Sequence, residues 1–166
     1  MTTSSASKTV FISPLDWGLG HATRIIPLIE YYVNRGDTVV LGGNGSSFTY
    51  LQKRFPDLAY EEIPGYEVKY SKKIGFALKM VLSLPRISKG IKVEHFALEK
   101  LHKKYKFDLV IYDNRYGLYL KGVKCLLVCH QLNIRFPYFA SSIFKVQKKL
   151  IEQFDYCLIS DFPLQE

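Results

Sequence analysis

The sequence is poor in the features that would settle a class at once. It has one tryptophan, two methionines and three cysteines in 166 residues. No apolar run approaches the roughly 20 residues needed to cross a bilayer, and the first eight residues are a Ser/Thr stretch without an apolar signal core. These absences predict a cytoplasmic protein. Cys125, Cys129 and Cys157 are odd in number and lie inside apolar runs, so reduced core thiols are expected rather than disulfides. Cys125, Cys129 and His130 have no matching ligand pair elsewhere, so no metal site and no resident cofactor are expected.

What is present is apolar substance and positive charge. With 48% hydrophobic residues the chain can bury one sizeable core. Lys and Arg outnumber Asp and Glu by 23 to 15, a net charge of +8 that suits an anionic partner. The basic residues are spread without a recognition module, so nucleic acid is not expected to be that partner. They concentrate in Lys69–Lys92 around the apolar stretch Ile74–Leu84. That segment could rest on an anionic membrane at the inner face, or it could be a core helix with a basic outer side.

Periodicity gives strands alternating with helices. Short β-branched or apolar runs at Thr9–Ser13, Thr38–Leu41, Leu58–Ile63, Asp108–Tyr112, Lys124–Cys129 and Asp155–Ser160 read as strands. Helical spacing follows at Ile25, Leu28, Ile29, Tyr32 and Val33, ending at Arg35-Gly36, with Pro27 predicting an irregular first turn or a late start. A short helix is expected around Phe48, Leu51 and Phe55, and a break at Pro85 before a longer helix ending near Tyr105. A helical stub at Arg115–Leu120 and a helix near Ser142–Gln153 complete the order. The expectation is a single doubly wound, Rossmann-like α/β domain over 9–166 behind a disordered tail, 1–8. Its sheet should be mostly parallel, in the order 3-2-1-4-5-6, with helices on both faces.

In that order the winding reverses between the first and fourth strands, so the loops after Pro14 and Tyr112 face one crevice. The first of these reads Gly18-Leu19-Gly20-His21-Ala22-Thr23-Arg24 and opens into a helix. Glycines and free helix N–H groups there favour an anion, with Arg24 adding charge. A dinucleotide fingerprint fails because Thr23 occupies the third glycine position and the second strand ends in Gly42-Gly43-Asn44 without an acid. A Walker loop fails because no Gly-Lys-Ser/Thr follows. His21 could accept a proton from an attacking hydroxyl, and Asp113 in the neighbouring loop could orient its imidazole. Asn114, Arg115, His130 and Gln131 border the same crevice. A capping histidine and an Asx turn are the plainer alternatives. His95 and His102, among Glu94, Glu99, Lys100, Lys103 and Lys104, read as a solvated helix surface.

The loop Gly18–Arg24, with Tyr112-Asp113-Asn114-Arg115-Tyr116-Gly117 and Cys129-His130-Gln131-Leu132, resembles the N-terminal half of GT-B glycosyltransferases. The likeness is greatest to bacterial enzymes related to the N-acetylglucosaminyltransferase that completes lipid-linked peptidoglycan precursor, and extends from about Thr9 to Pro163. It implies an acceptor-binding domain, with the nucleotide-sugar donor held mainly by a C-terminal domain. The chain would then be a piece of a longer protein. By the same resemblance His21 is the base or an acceptor contact and Asp113 its orienter; Gly18, Leu19, Gly20, Thr23, Arg24, Asn114, Arg115, His130 and Gln131 are the expected acceptor or phosphate contacts around them. The loop departs from the more glycine-rich turn of the peptidoglycan enzyme. A nucleotide-sugar hydrolase of related fold, or a non-catalytic subunit docking on a separate donor domain, are the alternatives.

Overall fold

The computed structural model describes residues 6–16, 18–65, 76–129 and 152–159. Along the chain run β1 (Thr9–Ser13), α1 (Leu19–Asn34), β2 (Thr38–Gly43), α2 (Gly45–Arg54), β3 (Ala59–Glu62), α3 (Phe76–Tyr105), β4 (Leu109–Asp113), β5 (Lys124–Cys129) and β6 (Tyr156–Ile159). The strands form one parallel sheet in the order β3-β2-β1-β4-β5-β6. This is the expected Rossmann-like arrangement, and it follows from right-handed crossovers on either side of the first strand.

Side chains alternate across the sheet and so build two cores. Val10, Ile12, Val39, Leu41, Ile111 and Val128 meet Ala22, Ile25 and Ile29 of α1 and Leu51 of α2 on one face. Phe11, Val40, Val110, Tyr112, Cys125, Leu127 and Cys129 meet Leu98 of α3, Phe107 and Leu118 on the other. Each such side chain stabilises the fold by about 1.5–3 kcal/mol relative to exposure, before entropy is counted. Gly42 has no alternative here, since a Cβ on it would strike the Phe11 ring.

Several local expectations are corrected. The first helix is neither late nor irregular at its start: it begins at Leu19 and continues through Pro27. Burial of Ala22, Ile25 and Ile29 on the sheet outweighs the bond that Pro27 cannot donate. Pro85 likewise lies inside α3 and does not break it. The segment 115–120 is a turn and irregular chain, not a helix. Its backbone is set by a buried ion pair described below.

Ser7 and Lys8, read as part of a disordered tail, are tied down: Ser7 Oγ donates to Gly36 O at 2.9 Å and Lys8 N to Asp37 Oδ1 at 2.8 Å. Cys157 is exposed on β6 rather than in the core, though all three cysteines are free thiols. The helix expected near Ser142–Gln153 falls almost wholly outside the described residues, as do residues 69–75 of the basic segment, which from Phe76 onward is the first part of α3. Among those described, no helix is long and apolar enough to cross a membrane.

Candidate active site

The site forms where β1 and β4 lie side by side and the chain leaves them in opposite directions. Register pairs Ser13 with Tyr112, so the first loop and Asp113 start from the same level of the sheet. Gly18 has φ 117°, a conformation that side chains other than glycine rarely adopt. It turns the chain directly into α1, and His21 N donates back to Gly18 O at 3.2 Å. Gly20 faces open space, and Leu19 is 50% exposed at the helix entrance.

Sequence reasoning missed what fixes this loop. Asp16 Oδ1 accepts from Ser46 Oγ and Ser47 N, both at 3.0 Å, and so caps α2 from outside that helix. Ser47 Oγ in turn donates to Gly18 O at 3.1 Å. A Cβ on Gly45 would collide with the Asp16 carboxylate, which is why glycine stands there at φ 68°. The available signal was a carboxylate two residues before Gly18 and a Ser-Ser pair after Gly45, but its meaning required knowing that the two loops touch.

Asp113 ends β4 and is completely buried. Its Oδ2 lies 2.8 Å from His21 Nδ1. Arg24 Nη1 donates to Oδ1 at 3.2 Å and to Oδ2 at 3.4 Å, and Asn114 Nδ2 donates to Oδ1 at 2.9 Å. Asn114 adopts φ 54°, which asparagine tolerates better than most residues, while its N–H reaches Val128 O at 3.3 Å. The His21 and Arg24 side chains are 14% and 23% exposed, so the cluster is closed at the carboxylate and reaches the crevice through both the imidazole and the guanidinium. A carboxylate accepts hydrogen bonds; Nδ1 therefore carries the proton, and a neutral ring presents its Nε2 lone pair away from Asp113. Burial pushes the nearby Tyr116 phenol up to about 12, keeping it neutral beside this charge.

The structure thus joins His21, Arg24, Asp113 and Asn114, with Gly18, Leu19 and Gly20 around them. The Thr23 hydroxyl turns back on the loop, donating to Gly20 O at 3.2 Å. Arg115 does not join them. Only 1% exposed, it pairs through Nε with Glu94 Oε1 at 2.9 Å. Its Nη groups donate to Pro14 O at 3.5 Å, Ile63 O at 3.4 Å and Pro64 O at 3.0 Å. Arg115 is therefore a brace beneath the crevice, joining the ends of β1 and β3 to α3. Glu94, read as part of a solvated surface, is buried, and its Oε2 accepts from Gly117 N at 3.2 Å. His95 of the same group stacks on Tyr119 with centroids 4.5 Å apart. His130 and Gln131 lie outside the described residues.

No protein-family model matches the chain, and no curated protein sequence does. Solved structures do match. MurG of Acinetobacter baumannii is 15% identical with a TM-score of 0.58, over 96% of this chain and 44% of that one. The glycosyltransferase SnogD from Streptomyces nogalater is 15% identical with a TM-score of 0.57, over 96% and 47%. The glycosyltransferase of kitacinnamycin is 14% identical with a TM-score of 0.56, over 75% and 31%. The chain therefore spans less than half the length of each of these three structures. At such identities the likeness speaks for architecture: the chain has the Rossmann-like fold of a GT-B glycosyltransferase domain.

Proposed function

We propose that this chain is the acceptor-side domain of a glycosyltransferase that moves a sugar from a nucleotide-sugar to an acceptor hydroxyl. The observation that carries the reading is the bond between His21 Nδ1 and the buried Asp113 carboxylate at the β1–β4 switch point, which turns the other ring nitrogen, Nε2, away from that carboxylate. In the reaction, Nε2 takes the acceptor hydroxyl proton as its oxygen attacks the anomeric carbon. The bond from that carbon to the nucleotide diphosphate breaks, and the diphosphate leaves with the electron pair. Asp113 holds the imidazole in the productive tautomer and faces the imidazolium that forms. Gly18, Leu19 and Gly20 border the acceptor, and the α1 N-terminus favours nearby phosphate.

The donor is assigned to a second domain, in keeping with the fraction of each related structure that this chain spans. The chain alone should bind acceptor weakly and turn over nothing, because orientation of both reactants is missing. In a polypeptide carrying both domains, His21→Ala should lower transfer by about 10²–10⁴-fold, the usual worth of a general base. Unchanged transfer would sink the assignment. Incubation with nucleotide-sugars and no acceptor separates transfer, which leaves the donor inert, from hydrolysis, which releases sugar.

A lipid-linked acceptor at the inner face of the membrane fits the net charge of +8. Co-sedimentation with vesicles tests this part separately. Binding that does not depend on anionic lipid removes it.

A further inference from the structure

His21 and Arg24 are three residues apart on α1, so they lie on one side of that helix and both reach the end of β4. A carboxylate rotates easily about its last bond, and a His–Asp pair fixes a tautomer only while one oxygen stays aimed at the imidazole. At Asp113 the rotation is opposed by two further donors. Oδ1 receives Asn114 Nδ2 at 2.9 Å and Arg24 Nη1 at 3.2 Å, while the same Nη1 reaches Oδ2 at 3.4 Å. Oδ2 is left directed at His21 Nδ1, 2.8 Å away.

The charges are arranged to the same end. Asp113 is completely buried and faces His21 and Arg24 from α1 and Asn114 from its own loop. A buried carboxylate without a cation beside it would be strongly disfavoured. Arg24 supplies that cation from the crevice side while leaving the imidazole its own hydrogen bond.

We propose that Arg24 is a positioning residue of this site: its guanidinium, with the Asn114 amide, clamps the Asp113 carboxylate so that Oδ2 fixes His21 as the Nδ1–H tautomer. This rests on the reading of His21 as the base. It assigns Arg24 to the protein's own carboxylate rather than to a ligand phosphate.

Nitrogen-15 NMR of the imidazole reports the tautomer in this chain without any turnover. In its neutral form the wild-type ring should show Nδ1 protonated and Nε2 bare. Arg24→Ala should shift His21 toward a mixture containing the Nε2–H form, Asn114→Ala should do so to a smaller extent, and Arg24→Lys should restore most of the wild-type pattern. Melting curves establish that each variant is folded, and Arg24→Lys keeps the test open if Arg24→Ala is not. A wild-type tautomer retained in Arg24→Ala overturns the clamp while leaving the base assignment standing; an Nε2–H tautomer in the wild type overturns both.

In the two-domain polypeptide, Arg24→Ala should lower kcat by about 10- to 100-fold, as expected for a displaced catalytic group, with KM for donor and acceptor nearly unchanged. A raised KM with unchanged kcat would mean that the guanidinium holds ligand instead, which also overturns the proposal.

Discussion

Two buried carboxylates sit at the same end of the sheet, and each is paired with an arginine. Asp113 meets Arg24, whose side chain is 23% exposed, and a histidine open to the crevice. Glu94 meets Arg115, and both of their side chains are 1% exposed. The same chemistry serves two ends because of where the cation stands. Arg115 directs its Nη donors to the protein's own carbonyls at Pro14, Ile63 and Pro64, and at 1% exposure it is buried away from any ligand in the crevice. At Asp113 the third partner is an imidazole that, at 14% exposure, still reaches the crevice. One pair holds strand ends together, and the other holds the imidazole that we propose as the proton acceptor.

The largest expected difference between them is in activity. Asp113→Asn should cost up to about 10⁴-fold in transfer by the two-domain polypeptide, the scale seen when a histidine loses its tautomer-fixing carboxylate. Its melting temperature should move little. Glu94→Ala should do the reverse, costing about 3–5 kcal/mol of stability by leaving Arg115 buried and unpaired, as read from denaturant unfolding. If the two variants lose stability equally, the division between brace and site fails.

A smaller effect is expected at Gly117. A Cβ there would meet the Ile91 carbonyl and the Glu94 side chain. Gly117→Ala should destabilise by about 1–3 kcal/mol, in the range of overpacking, with any residual transfer keeping its wild-type pH profile. A shifted profile would mean that the brace and the crevice are coupled.

The smallest effect is in pH dependence. Burial pushes the Glu94 carboxyl above its ordinary range more than Arg115 and the Gly117 N–H pull it down. The native chain therefore holds that proton more tightly than the unfolded chain does. The associated stability is fully present below the ordinary carboxylate range and is lost as pH rises through the raised value. The melting temperature of wild type relative to Glu94→Gln should fall across that window. A difference that grows with pH would show that the ion pair outweighs the burial.

The strand order was legible because central parallel strands announce themselves as short apolar runs, and crossover handedness leaves few ways to arrange them. The His21–Asp113 pair followed from that order, since 92 residues of separation vanish once β1 and β4 are neighbours. Arg115 and Glu94 were misplaced for a physical reason. A charged residue in a helix or turn has the same local pattern whether it meets water or a single buried partner, and only the fold supplies the partner. Pro27 and Pro85 misled in a related way, because tertiary packing overrides a local helix penalty of about 3 kcal/mol. Asp16 was invisible because its partners belong to the next crossover.

The distance along the chain between His21 and Asp113 also bears on how the protein is made. β1 can pair with β2 early, over the single crossover through α1, but Asp113 arrives only after the 30-residue helix α3 has crossed and β4 has docked on the other side of β1. During synthesis a half-finished chain therefore has its glycine turn and its histidine with no carboxylate to receive them. Closing so long a loop is among the slower steps of folding. The imidazole signal of His21 is consequently a clock for sheet completion, reading unassembled until the fourth strand is in place.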